Sequence, residues 1–154
     1  MRPYTFQVFS IEHIISIIVI ILVFIAFFRF NKVLGINDKS RSFLFVLAFI
    51  MISLDLSEDL VRVFTGFYSI RKDLPLQLCS IGVYLAAFTL VSRKKIFFDL
   101  IFYWGFVGAT NAILTPDGNL FELRIFFFYS QAYHAALIFA VLWLMIKYDM
   151  RMRY

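Results

Sequence analysis

Apolar and polar positions divide this chain into five long apolar runs, separated by short charged or turn-rich connections. The first run, residues 11–28, is almost wholly aliphatic and aromatic and stops at Arg29. At ~1.5 Å per residue it makes a helix of about 27 Å, enough to cross the hydrocarbon core of a bilayer. A connection with Lys32, Gly35, Asn37, Asp38, Lys39 and Arg41 leads into the second run, residues 43–64. The second half of that run carries Ser53, Asp55, Ser57, Glu58, Asp59 and Arg62. Gly66, Arg71 and Lys72 mark the next connection, and Pro75 suits the first turn of the third run, residues 75–91, where its missing N–H has no intrahelical partner to lose. The fourth run, residues 96–114, ends at Thr115, Pro116, Asp117, Gly118 and Asn119, a turn signature. The fifth, residues 125–146, is closed by Lys147, Asp149, Arg151 and Arg153. The pattern predicts an all-α, polytopic bundle of five transmembrane helices forming a single domain over residues 1–154, without internal repeats.

Composition agrees, since 62% hydrophobic residues in a chain of 154 exceed what one small soluble core would bury. The net charge of +5 does not point to nucleic acid, because the Lys and Arg residues sit in short clusters between apolar runs instead of along a basic stripe. The first run lacks a charged leader and a small-residue cleavage site, so it reads as a retained helix. Loop charge sets the orientation. Arg29, Lys32, Lys39, Arg41, Arg93, Lys94, Lys95, Lys147, Arg151 and Arg153 fall on one side, against Arg2, Arg62, Arg71, Lys72 and Arg124 on the other. This predicts a multi-pass protein of the cell membrane with its N-terminus outside and its C-terminus in the cytoplasm.

That topology puts the polar residues within the apolar runs into one leaflet. Cys79 is about 6 Å, Glu58 about 9 Å and His134 about 14 Å from the outer ends of their helices, and Asn111 lies within a turn of the end of its own. Ionisable groups at such depth normally face the bundle interior or a water-filled cavity. Asp55, Glu58, Asp59 and Arg62 share a helical face, as do Ser130, Gln131 and His134, and Cys79 shares its face with Gly82, Val83 and Ala86. Asp99 is spaced to pair with Lys95 at the inner interface. Each position also has a plainer reading. A single cysteine in an apolar helix is commonly a packing residue, Glu58 and Asp59 can pair with Arg62 near the headgroups, and Asn111 and Gln131 can serve as interhelical glue. His13, beside Glu12, reads as an interface residue, and the aromatic run 125–129 as a lipid-facing belt.

One chemistry suits the set. A thiol becomes a nucleophile beside a base, and an acid that orients the imidazole completes a triad, here Cys79, His134 and Glu58. Two distant histidines and one cysteine lack the spacing of a zinc site, and no glycine-rich phosphate loop is present, so neither a metal nor a cofactor is predicted.

Several segments carry a family resemblance. They are Phe6, Gln7, Val8, Phe9 and Ser10 with His13; Asp73, Leu74, Pro75, Leu76, Gln77, Leu78, Cys79 and Ser80; Tyr103, Trp104, Gly105, Phe106, Val107, Gly108 and Ala109; Leu114, Thr115, Pro116 and Asp117; and His134. In that order they resemble the YwaF-like integral membrane proteins, a family similar to eukaryotic TMEM-type proteins that include a cysteine-dependent phospholipid acyltransferase. The resemblance implies a nucleophilic role for Cys79, a base role for His134, and family positions for Glu58 and His13. Relatives of this kind carry one or two helices beyond the position of Tyr154, which implies a shortened member or a fragment, its bundle completed by further helices or a second copy.

The expected function is acyl transfer or hydrolysis on membrane lipids. In this scheme Glu58 or Asp55 orients His134, and Asn111 or Gln131 donates to the oxyanion. Gln77 and Asp117, within the resembling segments, join His13, Asp55, Asn111 and Gln131 as candidate binding residues. The alternatives are a transporter in which the acidic stripe and His134 handle a cation or proton, and a structural or partner-binding subunit. Inverted repeats and broken helices of the transporter type are not evident.

Overall fold

The computed structural model describes residues 6–30, 41–69, 78–118 and 121–151. These form five helices: α1 (Ile11–Phe30), α2 (Arg41–Thr65), α3 (Leu78–Ser92), α4 (Lys95–Leu114) and α5 (Arg124–Tyr148). The chain is all-helical where described, as its apolar periodicity predicts. By length and composition, α1, α4 and α5 can each cross a membrane, and α3 is apolar but shorter. The polar second half of α2, with Asp55, Glu58, Asp59 and Arg62, separates it from those three. Pro75 and Gln77 lie outside the described residues.

α5 is the central helix, and α2, α3 and α4 pack around it. Its buried side chains point in nearly every direction, from Phe126 and Phe127 near one end to Trp143 and Leu144 near the other. A helix apolar all round and buried all round is the core of its bundle. α1 is the opposite case: among its residues only His13 is buried, and Ile11, Ile15, Leu22, Val23 and Ile25 are all more than half exposed. Contiguous exposed aliphatic surface of that extent is stable where the solvent is lipid.

Five helix ends meet at one side of the bundle. His13, near the start of α1, contacts Ile113 near the end of α4, and Arg124 at the start of α5 pairs with Glu12 of α1. Arg62, near the end of α2, reaches Glu122 just before α5. Ser80, at the start of α3, bonds Asp55 of α2. α1, α3 and α5 therefore begin at the end where α2 and α4 finish, as expected of antiparallel neighbours joined by short connections.

α4 is not regular throughout. Its middle turn, Phe102–Phe106, is a π-helix, with Gly105 buried. The inward residues of α4 are Phe98, Ile101, Gly105, Ala109 and Ile113, mostly four apart. In a uniform α-helix each step of four rotates about 40° off the face, and the wider π turn absorbs part of that drift. Gly105 is also where α5 approaches closest: a Cβ there would lie 3.4 Å from two atoms of Leu137. Gly82 of α3 meets the same leucine, its notional Cβ at 3.5 Å, and comes within 3.9 Å of the Gly105 Cα. Small residues thus bring three helices together around Leu137, as is usual where backbones pack closely in membranes.

At the other end of the bundle Phe24, Phe27, Phe28, Phe43, Phe139 and Trp143 form one aromatic stack between α1, α2 and α5. Lys95 donates to Asp99 at 3.2 Å there, as their spacing predicted. The aromatic run 125–129 is divided instead of forming a continuous belt. Ile125 and Phe128 are exposed, while Phe126 and Phe127 are fully buried, because a helix at the centre of a bundle turns every other flank inward.

Candidate functional site

The Leu137 contact aligns the site. α3 and α5 run in the same direction, so one turn from Gly82 and Leu137 toward the start of each helix come Cys79 on α3 and Tyr133 and His134 on α5. His134 is 3% exposed. Its Nδ1 lies 2.7 Å from the Ser130 carbonyl, which can only accept, so Nδ1 carries the proton and donates. Nε2 is then a lone-pair acceptor, and it is buried without a hydrogen-bond partner. A buried acceptor left in this state costs on the order of 1–3 kcal/mol, so a ligand or proton donor at Nε2 would recover that free energy.

Cys79 is half-buried, a free thiol with Asp55 in its electrostatic neighbourhood. It does not hydrogen bond to His134, whose Nε2 is unpartnered. The ring beside His134 belongs to Tyr133, with centroids 4.2 Å apart. The Tyr133 side chain hydrogen bonds Ser130 and lies within electrostatic reach of Glu58, Cys79 and Asp55. Asp55, 5% exposed, accepts from Ser80 Oγ at 3.0 Å and has Tyr84 beside it, while its Oδ2 is without a hydrogen bond.

Glu58 is held elsewhere than expected. Its Oε1 accepts from Arg62 Nε at 3.1 Å and from Nη2 at 2.9 Å, and Arg62 Nη1 donates to Glu122 Oε2 at 2.9 Å. The Arg62 guanidinium also lies 4.1 Å over the Phe126 ring. Orientation of His134, the role expected of Glu58, is supplied by the Ser130 carbonyl. Helical spacing made the Arg62 to Glu58 pair legible, but Glu122 comes from a distant loop and no local pattern announces it.

Of the other expected residues, Gln131 is drawn into the interior at 4% exposure, with both amide atoms buried and unpartnered. Asn111 and Asp117 are on exposed positions, so the structure does not bring them to the thiol. Gln77 lies outside the described residues. His13 is fully buried with both ring nitrogens engaged: Nε2 donates to the Ile113 carbonyl at 2.7 Å, and Nδ1 accepts from the Phe9 backbone N–H at 3.0 Å. It is a clasp between α1 and α4 at the end of the bundle where α1 begins. Among the described residues no cluster of His, Cys, Asp and Glu could hold a metal ion.

An apolar groove of about 310 Å³ runs between α1, α2 and α5 from the aromatic stack at the other end of the bundle, walled by Phe24, Phe27, Leu47 and Ile50 and floored by Ala132, Ala135 and Ala136. Small residues on α5 thus leave a hydrocarbon-lined slot next to the helix that carries His134. Neither the curated proteins nor the solved structures yielded a match to this chain. The family comparison did, over residues 8–154, a span that includes all five helices. The chain is an integral membrane protein and belongs to the TMEM164 family.

Proposed function

We propose that this protein is a membrane-embedded lipid acyltransferase or lipid hydrolase, with Cys79 as nucleophile and His134 as general base. The observation that carries this reading is His134 Nε2, a buried lone pair held free by the Nδ1 to Ser130 bond, one turn from the contact of Leu137 with Gly82 on the helix that carries Cys79. In the first step Cys79 Sγ bonds to the acyl carbonyl carbon as its proton passes to His134 Nε2. The tetrahedral intermediate expels the lipid alkoxide, which takes that proton back, leaving a thioester. A second hydroxyl, from another lipid or from water, gives its proton to Nε2 and attacks the thioester, which restores the thiol. The buried amide of Gln131 is the candidate oxyanion donor, since its Nε2 has no other partner. The apolar groove on α5 would receive an acyl chain. We place the site in the outer leaflet of the cell membrane, with the N-terminus outside, from the distribution of Lys and Arg among the loops.

The test is mass spectrometry of the protein reconstituted in vesicles of a diacylphospholipid, together with lipid product analysis. Wild type should carry an acyl adduct on Cys79 and turn lipid over. Cys79→Ser should abolish the thioester and lower turnover by at least 100-fold, and His134→Gln should lower it comparably. Equal turnover by wild type and Cys79→Ser would sink the reading.

A further inference from the structure

α1 and α5 enclose a second recess, a cleft of about 460 Å³ walled by Ile25 and Phe28 of α1 and by Leu142 and Ile146 of α5. Phe24 lines both this cleft and the groove between α1, α2 and α5, so the two flank the thin contact of α1 with α5. Ile25 is 59% and Ile146 61% exposed, so the cleft opens on the side of the bundle that lipid covers. Its one charged lining residue is Arg29, in the last turn of α1. From Phe24 to Arg29 the helix rises about 8 Å at ~1.5 Å per residue, an apolar depth that ends at a guanidinium. The end of the bundle around it is basic. Lys95 and Arg151 are paired with Asp99 and Asp149, but among the described residues no acid pairs with Arg29, Arg41, Arg93 or Lys94. Lys147 Nζ lies 5.1 Å over the Trp143 ring, which packs 5.5 Å from Phe28, so a cleft wall and the basic rim form one packed unit.

We propose that this cleft binds one anionic phospholipid from the leaflet at the end where α1 and α5 finish, with its phosphate on Arg29 and the first part of an acyl chain between Ile25, Phe28, Leu142 and Ile146. A guanidinium matches a phosphate group in charge and in its paired N–H geometry, and the apolar depth below it follows the order of groups along a lipid. An arginine that only snorkels to the headgroups needs no cleft, and a cleft without a cation would not distinguish one lipid from another. A second copy of the chain fits less well. To cover Arg29 it would have to bring a carboxylate, and the described acids at this end, Asp99 and Asp149, are held by Lys95 and Arg151. The orientation proposed above puts this end in the cytoplasmic leaflet, where anionic lipids concentrate. A lipid that touches both helices would hold the second half of α1 against α5, which the thin protein contact does not do by itself. The site is separate from Cys79 and stands whether or not the chain is an enzyme.

Native mass spectrometry of the full chain, released from nanodiscs of phosphatidylcholine and phosphatidylglycerol in equal parts, reads the lipid that stays bound. Wild type should keep one phosphatidylglycerol, in about fivefold preference to phosphatidylcholine, the discrimination expected of one cation at an anionic headgroup. Arg29→Gln should lose that preference. Ile25→Trp and Ile146→Trp keep the charge and fill the cleft from either wall at exposed positions, and both should lose the retained lipid. Lys94→Gln, a cation at the same end that does not line the cleft, should behave as wild type. Equal retention of the two lipids by wild type overturns the proposal, and so does an undiminished preference in Arg29→Gln. Lipid kept by the folded tryptophan variants, or lost as fully in Lys94→Gln as in Arg29→Gln, would mean attraction to the basic rim without a cleft, which equally sinks it. Displacement by excess inorganic phosphate would mean an anion site without a chain, and a dimer that Ile146→Trp dissolves would mean a second copy; either result discards the lipid. Circular dichroism establishes which variants are folded. If one tryptophan variant is not, the other decides, and if neither is, Arg29→Gln decides.

Discussion

Arg62 shows how much one side chain can hold in this fold. It is 7% exposed, binds Glu58 within α2 and Glu122 ahead of α5, and covers Phe126. Arg62→Met would leave two poorly solvated carboxylates uncompensated, a loss of about 3–5 kcal/mol, whereas neutralising all three groups together should recover much of it. Denaturant titration of the single and triple variants in detergent checks this, the expected order being wild type, triple, single. His134 follows the same accounting with the opposite result. Its orphaned Nε2 is a free-energy cost kept within the bundle, and a folded His134→Leu protein should be no less stable than wild type by more than about 1 kcal/mol while losing any Cys79 chemistry. The sequence placed Arg62 as an ion-pair partner of Glu58 and Asp59 and His134 as a candidate base. The structure adds Glu122 as a partner of Arg62 and the Ser130 carbonyl as a partner of His134.

At the scale of elements, α1 is the least secured helix. It packs thinly on α5 and is held by His13 and the Glu12 to Arg124 pair at one end and by the aromatic stack at the other. His13→Leu would leave the Phe9 N–H without its acceptor and take the donor away from the Ile113 carbonyl, at about 1–3 kcal/mol. Amide hydrogen exchange should then rise in the first turns of α1 and around Ile113, with α3 and the inner half of α5 unchanged. α4 makes a contrasting case. Its π turn and Gly105 let Leu137 seat between α3 and α4. Gly105→Leu should separate these helices and slow Cys79 chemistry, while Gly108→Leu, where a Cβ meets nothing within 4 Å, should be tolerated. Thermal midpoints and Cys79 labelling rates of the pair check this. The Trp104 and Gly105 pair was visible in the sequence, but the π turn was not, since a change of hydrogen-bond register inside a helix leaves no trace in hydropathy.

For the whole molecule, the helix order and the loop charges lead to a topology that can be read by labelling. A membrane-impermeant thiol reagent should reach Cys79 from the N-terminal side of right-side-out vesicles and not from the other. What the sequence by itself determined was the all-helical membrane bundle and the apolar runs from which its helices form. These are consequences of period, length and charge, which act locally along the chain. Tertiary structure alone decided the partners that lie far apart in the sequence: Arg62 with Glu122, His13 with Ile113, and Ser80 with Asp55. It also turned Phe126 and Phe127 inward and left Asn111 on an exposed position. The reason is that depth in a membrane is fixed by counting residues from a helix end, whereas facing is fixed by helix rotation and close packing. Here rotation was set by two glycines and one leucine that meet across three helices.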